Sequence, residues 1–401
     1  MIPPCHYSPV SQGYAKPCLV IAILILAVFA ALPRQALGQG CVALKAPAGS
    51  PVLETMQFHT PTTLGSSPEP AEVGKGSKKV MVPMSPPPRE DKWTLSFSYR
   101  WFTSDRHFSE DVEQVQRQEL DNQVENDVHY LDTSLTYAFN KRLLATLSVP
   151  YIWAERSSLY EHDLVHRFSM RADGIGDLRA VVDWLVFDPN RYQHGNIAVG
   201  LGLKFPTGDD DARATAHRAT GDVRRPVDPS IQPGDGGWGI IAEVNAFQYI
   251  YKGLSAYLSA SYLSTPEEQS GTELTVADVP AFQAFITDEI RHNTIADQYF
   301  ARAGLSYDIA YGVSLSFGAR IEGVPAHDII GGDFGFRRPG YTVSLEPGIS
   351  WTGEKVSVAV SVPIAVYRNR IRSAPEEALG RPAGDAAFAD YFVQASVAYR
   401  F

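Results

Sequence analysis

Little in this chain of 401 residues announces chemistry. Charged residues make up 20 % of it, below the roughly one quarter usual in soluble domains. The net charge is −10 and the basic residues form no long cluster, which speaks against a nucleic-acid partner. Three cysteines are present, Cys5, Cys18 and Cys41. Two of them fall in a segment expected to be removed, so Cys41 has no partner for an internal disulfide and cysteine usage does not fix a redox compartment. The apolar run at residues 19–32 has fourteen residues, short of the roughly 20 that a membrane-spanning helix needs. Catalytic signatures are missing too. There is no Gly-x-Ser-x-Gly elbow, no phosphate-binding glycine loop and no His-Glu-x-x-His. His162 and His166 are four apart, and Asp209, Asp210 and Asp211 are consecutive. Solvated loop side chains account for both groups, so neither a metal nor a cofactor is expected.

The amino end reads as a leader. Lys16 precedes the apolar run, and Ala36-Leu37-Gly38 follows with small residues at the two positions a signal peptidase reads. Residues 1–38 are the expected signal peptide, with the mature chain starting at Gln39. A retained anchor is the alternative. Lipid attachment at Cys41 lacks the Leu three residues earlier that such sites show. Residues 39–91 carry Pro, Gly, Ser and Lys without periodicity and cannot bury a core, so they are expected to be a periplasmic linker or a plug.

What the chain does have begins at residue 93, where apolar and polar residues start to alternate. Trp93, Leu95, Phe97, Tyr99 and Trp101 share one face, with Thr94, Ser96, Ser98 and Arg100 on the other. Similar segments recur near residues 130–139, 143–153, 178–186, 197–205, 238–250, 254–265, 297–309, 313–325, 340–352, 356–368 and 388–401. That makes twelve strands, with short turns at 140–142, 189–195, 251–253, 311–312 and 353–355. Long connections fall at 103–126, 155–174, 209–236, 266–296, 326–338 and 370–386. A hydrocarbon face on every strand and turns that alternate short with long predict an all-β, membrane-spanning, antiparallel up-and-down barrel over residues 92–401. Trp93, Trp101, Tyr151, Trp153, Tyr262, Tyr341 and Trp351 lie near strand ends, where aromatic girdles belong. Pro347 and Pro363 are the awkward residues, because a proline removes a ladder donor.

Parity assigns the lumen. Inward positions carry Arg100, Asp132, Asp177, Arg179, Asp183, Lys204, Glu243, Arg302, Arg320, Glu322, Glu346 and Arg400. Both signs are present in similar number, which favours paired networks that brace the wall over a field of one sign. Phe300, Phe392, Tyr130, Tyr257 and Tyr367 are also inward by parity, either as a path for a planar solute or as filling.

Two resemblances follow from these residues. The final strand carries Tyr391, Val393, Val397, Tyr399 and Phe401 on one face and resembles the closing strand of bacterial outer-membrane barrels. That likeness implies that the barrel-assembly machinery reads Tyr399 and Phe401. Gly174-Ile-Gly-Asp177 and the strand exit Pro206-Thr207-Gly208 are similar to a barrel family of transporters linked to the meta-pathway of phenol degradation. In that family a Gly-x-Gly-Asp opens a strand and the next strand leaves on Pro-Thr-Gly. Residues 236–239, Gly-Gly-Trp-Gly, partly fit a later turn, while the acidic and arginine-rich loop 209–236 is not part of the pattern. The likeness implies an outer-membrane channel for small molecules, aromatic or hydrophobic ones included, with membrane lipid, the assembly machinery and a small solute as its partners. A barrel enzyme and a structural or adhesive barrel with partner-binding loops remain the alternatives.

Overall fold

The structure, a computed structural model, describes residues 91–283 and 285–401. The expected leader and nearly all of the expected linker therefore lie outside the described residues. The rest is a closed antiparallel barrel of twelve strands. In chain order these are β1 Trp93–Ser104, β2 Glu125–Ala138, β3 Leu143–Ser158, and β4 in two segments, Phe168–Ile175 and Leu178–Leu185. Then come β5 Gly195–Phe205, β6 Gly239–Tyr251, β7 Leu254–Ser264, β8 Gln298–Ala310, β9 Val313–Val324 and β10 Gly340–Thr352. β11 is again in two segments, Val356–Ser361 and Ile364–Asn369, and β12 is Val393–Arg400. Each strand pairs with the next, and β12 pairs with β1 from Thr94↔Arg400 to Trp101↔Val393. Closure leaves no row of unpaired backbone groups, which is the condition for β-structure in hydrocarbon.

Alternation places the side chains as expected. On β5, Ile197, Val199, Leu201 and Leu203 are exposed on the outside, while Ala198 and Lys204 are buried inside. Aromatic rings gather at two levels. Trp93 packs on Tyr137 at 4.5 Å near the short turns, and His129 stacks on Trp153 at 5.1 Å, beside Tyr99, near the long loops. Trp93 and Trp101 are eight residues apart, about 27 Å along a strand.

The two split strands face prolines. Gly176 N donates to Pro150 O at 2.8 Å, and Val362 N donates to Pro347 O at 3.0 Å. Such antiparallel pairs ordinarily exchange two bonds, and in both cases the return bond would need the N–H that proline lacks. Each time the facing strand breaks at that point. In β4 the break holds an extra residue: Ser148↔Arg179 and Tyr151↔Ile175 bracket two residues on β3 but three on β4, a β-bulge. Pro363 fills the break in β11, and its carbonyl accepts from Phe392 N at 3.2 Å.

Three expectations need correcting. Residues 155–158 and 168–174 are strand, not loop, because β3 and β4 continue as a hairpin from Tyr151↔Ile175 to Ser158↔Phe168. Polar residues dominate this stretch, which hides it from a search for apolar alternation. The last strand begins at Val393, while Ala386–Phe388 pairs instead with Arg106–Ser109 in a small loop sheet. Tyr367 points outward and touches Tyr341 at 5.8 Å, because the register of β11 shifts between Val343 and Ser344 and a one-residue slip exchanges the faces.

Leu201 is 65 % exposed, whereas Ser306 lines a cavity inside the barrel. Replacing Leu201 with Arg should destabilise the folded barrel by about 2–4 kcal/mol, the usual effect of Arg at the lipid midplane. Ser306→Arg should do much less, because its charge reaches the hydrated interior. Urea titration of heat-modifiable gel mobility reads the difference, and equal losses would mean that the faces are assigned wrongly.

Candidate functional site

The break in β4 is also where the long loop after β5 is fastened. Deprived of the Pro150 donor, Gly176 O accepts instead from the Thr207 hydroxyl at 3.1 Å, and Thr207 Oγ1 accepts from Leu178 N at 2.9 Å. Asp177 then holds both ends of the loop. Its Oδ1 accepts from Gly208 N at 3.0 Å and its Oδ2 from Asp235 N at 3.2 Å. Lys204 lies 3.5 Å from Asp177 and also pairs with Asp235. Gly208 and Gly234 touch backbone to backbone: a Cβ on Gly234 would stand 2.5 Å from the carbonyl of Gly208. A Cβ on Gly176 would press Pro150 and the carbonyl of Pro233 at 3.0 Å. Gly176, Asp177, Thr207 and Gly208 thus form one clasp, with Gly174 beside it against Pro233. Pro206 is the joint between β5 and that clasp.

The clasped loop folds inward. Val227 and Ile231 are fully buried against Tyr130, Ile152, Met170 and Phe392 of the barrel wall. Asp228 fixes this position with ion pairs to Arg156 at 3.4 Å and Arg338 at 2.5 Å. Gln232 ties the base together, accepting from Ala212 N at 2.9 Å and donating to Val227 O at 3.0 Å. The sequence reading missed Arg156, Asp228, Asp235 and Arg338. The visible signal was Val227 and Ile231, two large aliphatics with a carboxylate between them in a loop rich in charge.

Inside the barrel the expected lumen residues separate into two groups. On one side Arg100, Arg302 and Arg320 meet Glu322 and Glu346, with Phe300, Phe392 and Tyr257 among them. On the other, Asp132 pairs with Arg179, Lys204 with Asp177, and Asp183 lies beside Glu243. Gly200 permits the last contact, since its Cβ would stand 2.6 Å from Asp183 Oδ1 and 2.5 Å from Glu243 Cγ. Equal numbers of basic and acidic side chains therefore conceal a segregated wall, with three basic to two acidic groups on one side and two to four on the other. Arg400 belongs to neither group, because its guanidinium donates to Glu354 O at 2.7 Å at the turn end of the barrel.

Three cavities lie within this frame. One of about 120 Å³, open on one side, is lined by Ser230, Gln232, Asp235, Gln298 and Arg338 on the loop side. One of about 30 Å³ lies under the loop, between Tyr130, Arg179, Lys204 and Pro233, and shares Asp235 and Gln298 with the first. One of about 80 Å³ is lined by Tyr257, Arg302, Glu346 and Gln394 on the far side of the arginine cluster. The structure does not bring His162 and His166 together. His162 is buried and accepts from His217 N at 3.1 Å, while the exposed His166 pairs with Asp163 at 2.7 Å. The carboxylates of Asp209, Asp210 and Asp211 are engaged by Asp211 N, the Thr272 hydroxyl and Arg213 respectively. Among the described residues no group of three His, Cys, Asp or Glu is placed to hold a metal. Tyr399 and Phe401 stack at 5.8 Å on the outer face.

No protein-family model matches the chain, and no curated protein matches it in sequence. The phenol meta-pathway likeness is therefore carried by its two short motifs alone. Solved structures with a similar course include an outer membrane channel from Pseudomonas putida, at 12 % identity and a TM-score of 0.49, over 78 % of this chain and 96 % of that one. The β-domain of a Bordetella autotransporter has 13 % identity and a TM-score of 0.41, over 78 % of this chain and all of the other. The toluene transporter TbuX from Ralstonia pickettii has 11 % identity and a TM-score of 0.36, over 78 % and 90 %. At these identities nothing about solute or site passes from them to this chain.

Docking of the inserted loop should depend on pH through His162. Burial, with His217 and Arg218 nearby, lowers its pKa to about 4, against about 6.5 for a free imidazole. The undocked state therefore binds the extra proton between these values. Docking should be most stable above pH about 6.5 and weaken as pH falls toward 4. Hydrogen exchange of amides in residues 213–226, corrected for intrinsic rate, should be faster at pH 5 than at pH 7.5. His162→Gln should remove that difference.

Proposed function

We propose that this chain is an outer-membrane channel that passes small molecules by diffusion, aromatic compounds among them. The observation that carries this reading is a lumen narrowed by a loop fastened at both ends, with cavities on either side of a cluster of rings and guanidinium groups. A barrel whose wall filled its own interior would need no such insert. Constrictions built from loops and charged rings are how pores set size and charge limits. Phe300, Phe392 and Tyr257 bring rings to the narrow zone, the first two packed under Arg100 and Arg320. The chain reaches the outer membrane after loss of residues 1–38, and the assembly machinery reads Tyr399 and Phe401. Residues 39–91 remain candidates for a linker or plug.

An enzymatic reading finds no nucleophile beside either buried histidine among the described residues. Buried His107 accepts from Val124 N at 2.9 Å and pairs with Asp385 at 3.3 Å. His162 is held by a backbone N–H. Neither has a serine hydroxyl within hydrogen-bond distance among the described residues, so the arrangement of a hydrolase is incomplete.

Proteoliposomes test the channel. Methyl glucoside and phenyl glucoside, both excluded by bilayers, should enter them several-fold faster than protein-free vesicles. Replacing Phe300 and Phe392 together with Ala should alter phenyl glucoside entry several-fold and small-ion conductance less than twofold. If neither sugar enters faster than into protein-free vesicles, the channel reading is wrong.

A further inference from the structure

The arginine side of the lumen holds more hydrogen-bond donors than its carboxylates use. Arg100 and Arg320 are each 1 % exposed. Arg100 lies over the Phe392 ring at 4.5 Å, and Arg320 lies 5.1 Å from Phe392 and 5.2 Å from Phe300. Arg320 Nε donates to Glu322 at 2.7 Å, and Arg302 reaches Glu346 at 3.3 Å. The remaining ion pairs, Arg100 with Glu322 and Arg320 with Glu346, are both 3.8 Å long, too far for hydrogen bonds. Nε, Nη1 and Nη2 of Arg100 and both Nη atoms of Arg320 have no acceptor among the described residues. Even if the two long pairs closed into bonds, Arg100 Nε and Nη2 and Arg320 Nη2 would still lack one. Buried guanidinium groups without acceptors are costly and rare. Charge tells the same story, since three cations face two anions and one negative charge is missing.

We propose that this cluster binds the carboxylate of an aromatic acid, with the carboxylate between Arg100 and Arg320 and the ring against Phe392 and Phe300, a site that is closed in this structure, where all four residues are at most 3 % exposed, and that opens from the neighbouring cavity beside Arg302. The proposal rests on the channel reading and narrows its solute class. A planar carboxylate matches the guanidinium fork and supplies two acceptor oxygens. Its single charge completes the balance, whereas a phosphate dianion would exceed it beside Glu322 and Glu346. A small aliphatic acid would meet the donors but leave the rings unused. A neutral aromatic would leave the donors unpaired.

Calorimetry on the full-length protein in detergent tests this with benzoate, acetate and benzyl alcohol. Benzoate should bind saturably, and acetate and benzyl alcohol should each bind at least tenfold more weakly. Arg100→Gln should weaken benzoate at least tenfold, Arg100→Lys by less, and the outward-facing Arg171→Gln should have no effect. Should Arg100→Gln fail to fold, as judged by heat-modifiable mobility, Phe392→Leu supplies the second arm. It keeps the bulk and removes the ring, so it should weaken benzoate and leave acetate unchanged. Absence of saturable benzoate binding, equal binding of benzyl alcohol, or unchanged benzoate affinity in folded Arg100→Gln would overturn the proposal. Phenyl glucoside entry without benzoate binding would sink this site and leave the channel standing. Benzoate binding without sugar entry would do the reverse.

Discussion

Proline at position 150 has no N–H, and the interior of this barrel is arranged around that missing donor. Gly176 across the ladder is left with a carbonyl that strand pairing cannot satisfy. In a membrane barrel such a group cannot turn to lipid, because hydrocarbon offers no partner. It is met by the Thr207 hydroxyl, which brings the end of β5 onto the break in β4. The extra residue of the bulge is Asp177, whose two oxygens then gather the two ends of the inserted loop. One absent hydrogen bond thereby fixes where a loop of more than twenty residues starts and stops. The short glycine motifs follow from this geometry, since backbone meets backbone at Gly208 and Gly234 and a side chain on either would part them.

Charge does the rest of the positioning. Asp228 at the base of the insert's hairpin is buried between Arg156 and Arg338, and removing one partner of such a pair leaves an uncompensated charge. Below it the wall divides into an arginine side and a carboxylate side, bridged at the Arg100↔Tyr130 pair of β1 and β2. A solute that enters this zone meets oriented donors, aromatic faces and a transverse field rather than an evenly screened tube.

The barrel was legible in the sequence because lipid imposes a simple rule. Every second residue of a spanning strand is apolar, and that rule marked twelve strands and their inward charges. It failed where lipid no longer applies. The hairpin beyond Tyr151↔Ile175 stands among loops, and its polar residues carry no such mark. It failed at Tyr367, because one bulged residue exchanges the faces and leaves no trace in composition. The motif glycines and Asp177 were noticed as a pattern, but their purpose was not readable, since Pro150, Gly176, Thr207 and Gly234 meet only in three dimensions. Segregation of the lumen charges was hidden for the same reason: strand order had to close into a ring before neighbours on its wall could be known. Gly202 shows the limit of parity alone. It is inward, yet a Cβ there would stand 2.4 Å from the carbonyl of Ala180, so facing inward does not guarantee room.

The central claim is that the loop clasped by Asp177 narrows a conducting pore. Gly208 and Gly234 already touch, so residues 209–233 can be cut out and the chain rejoined there with little change in the barrel. Single-channel recording in planar lipid bilayers compares that variant with the intact protein at the same salt. The account predicts discrete, stable openings from both, several-fold larger in the shortened one. Equal conductance from two folded barrels would contradict it.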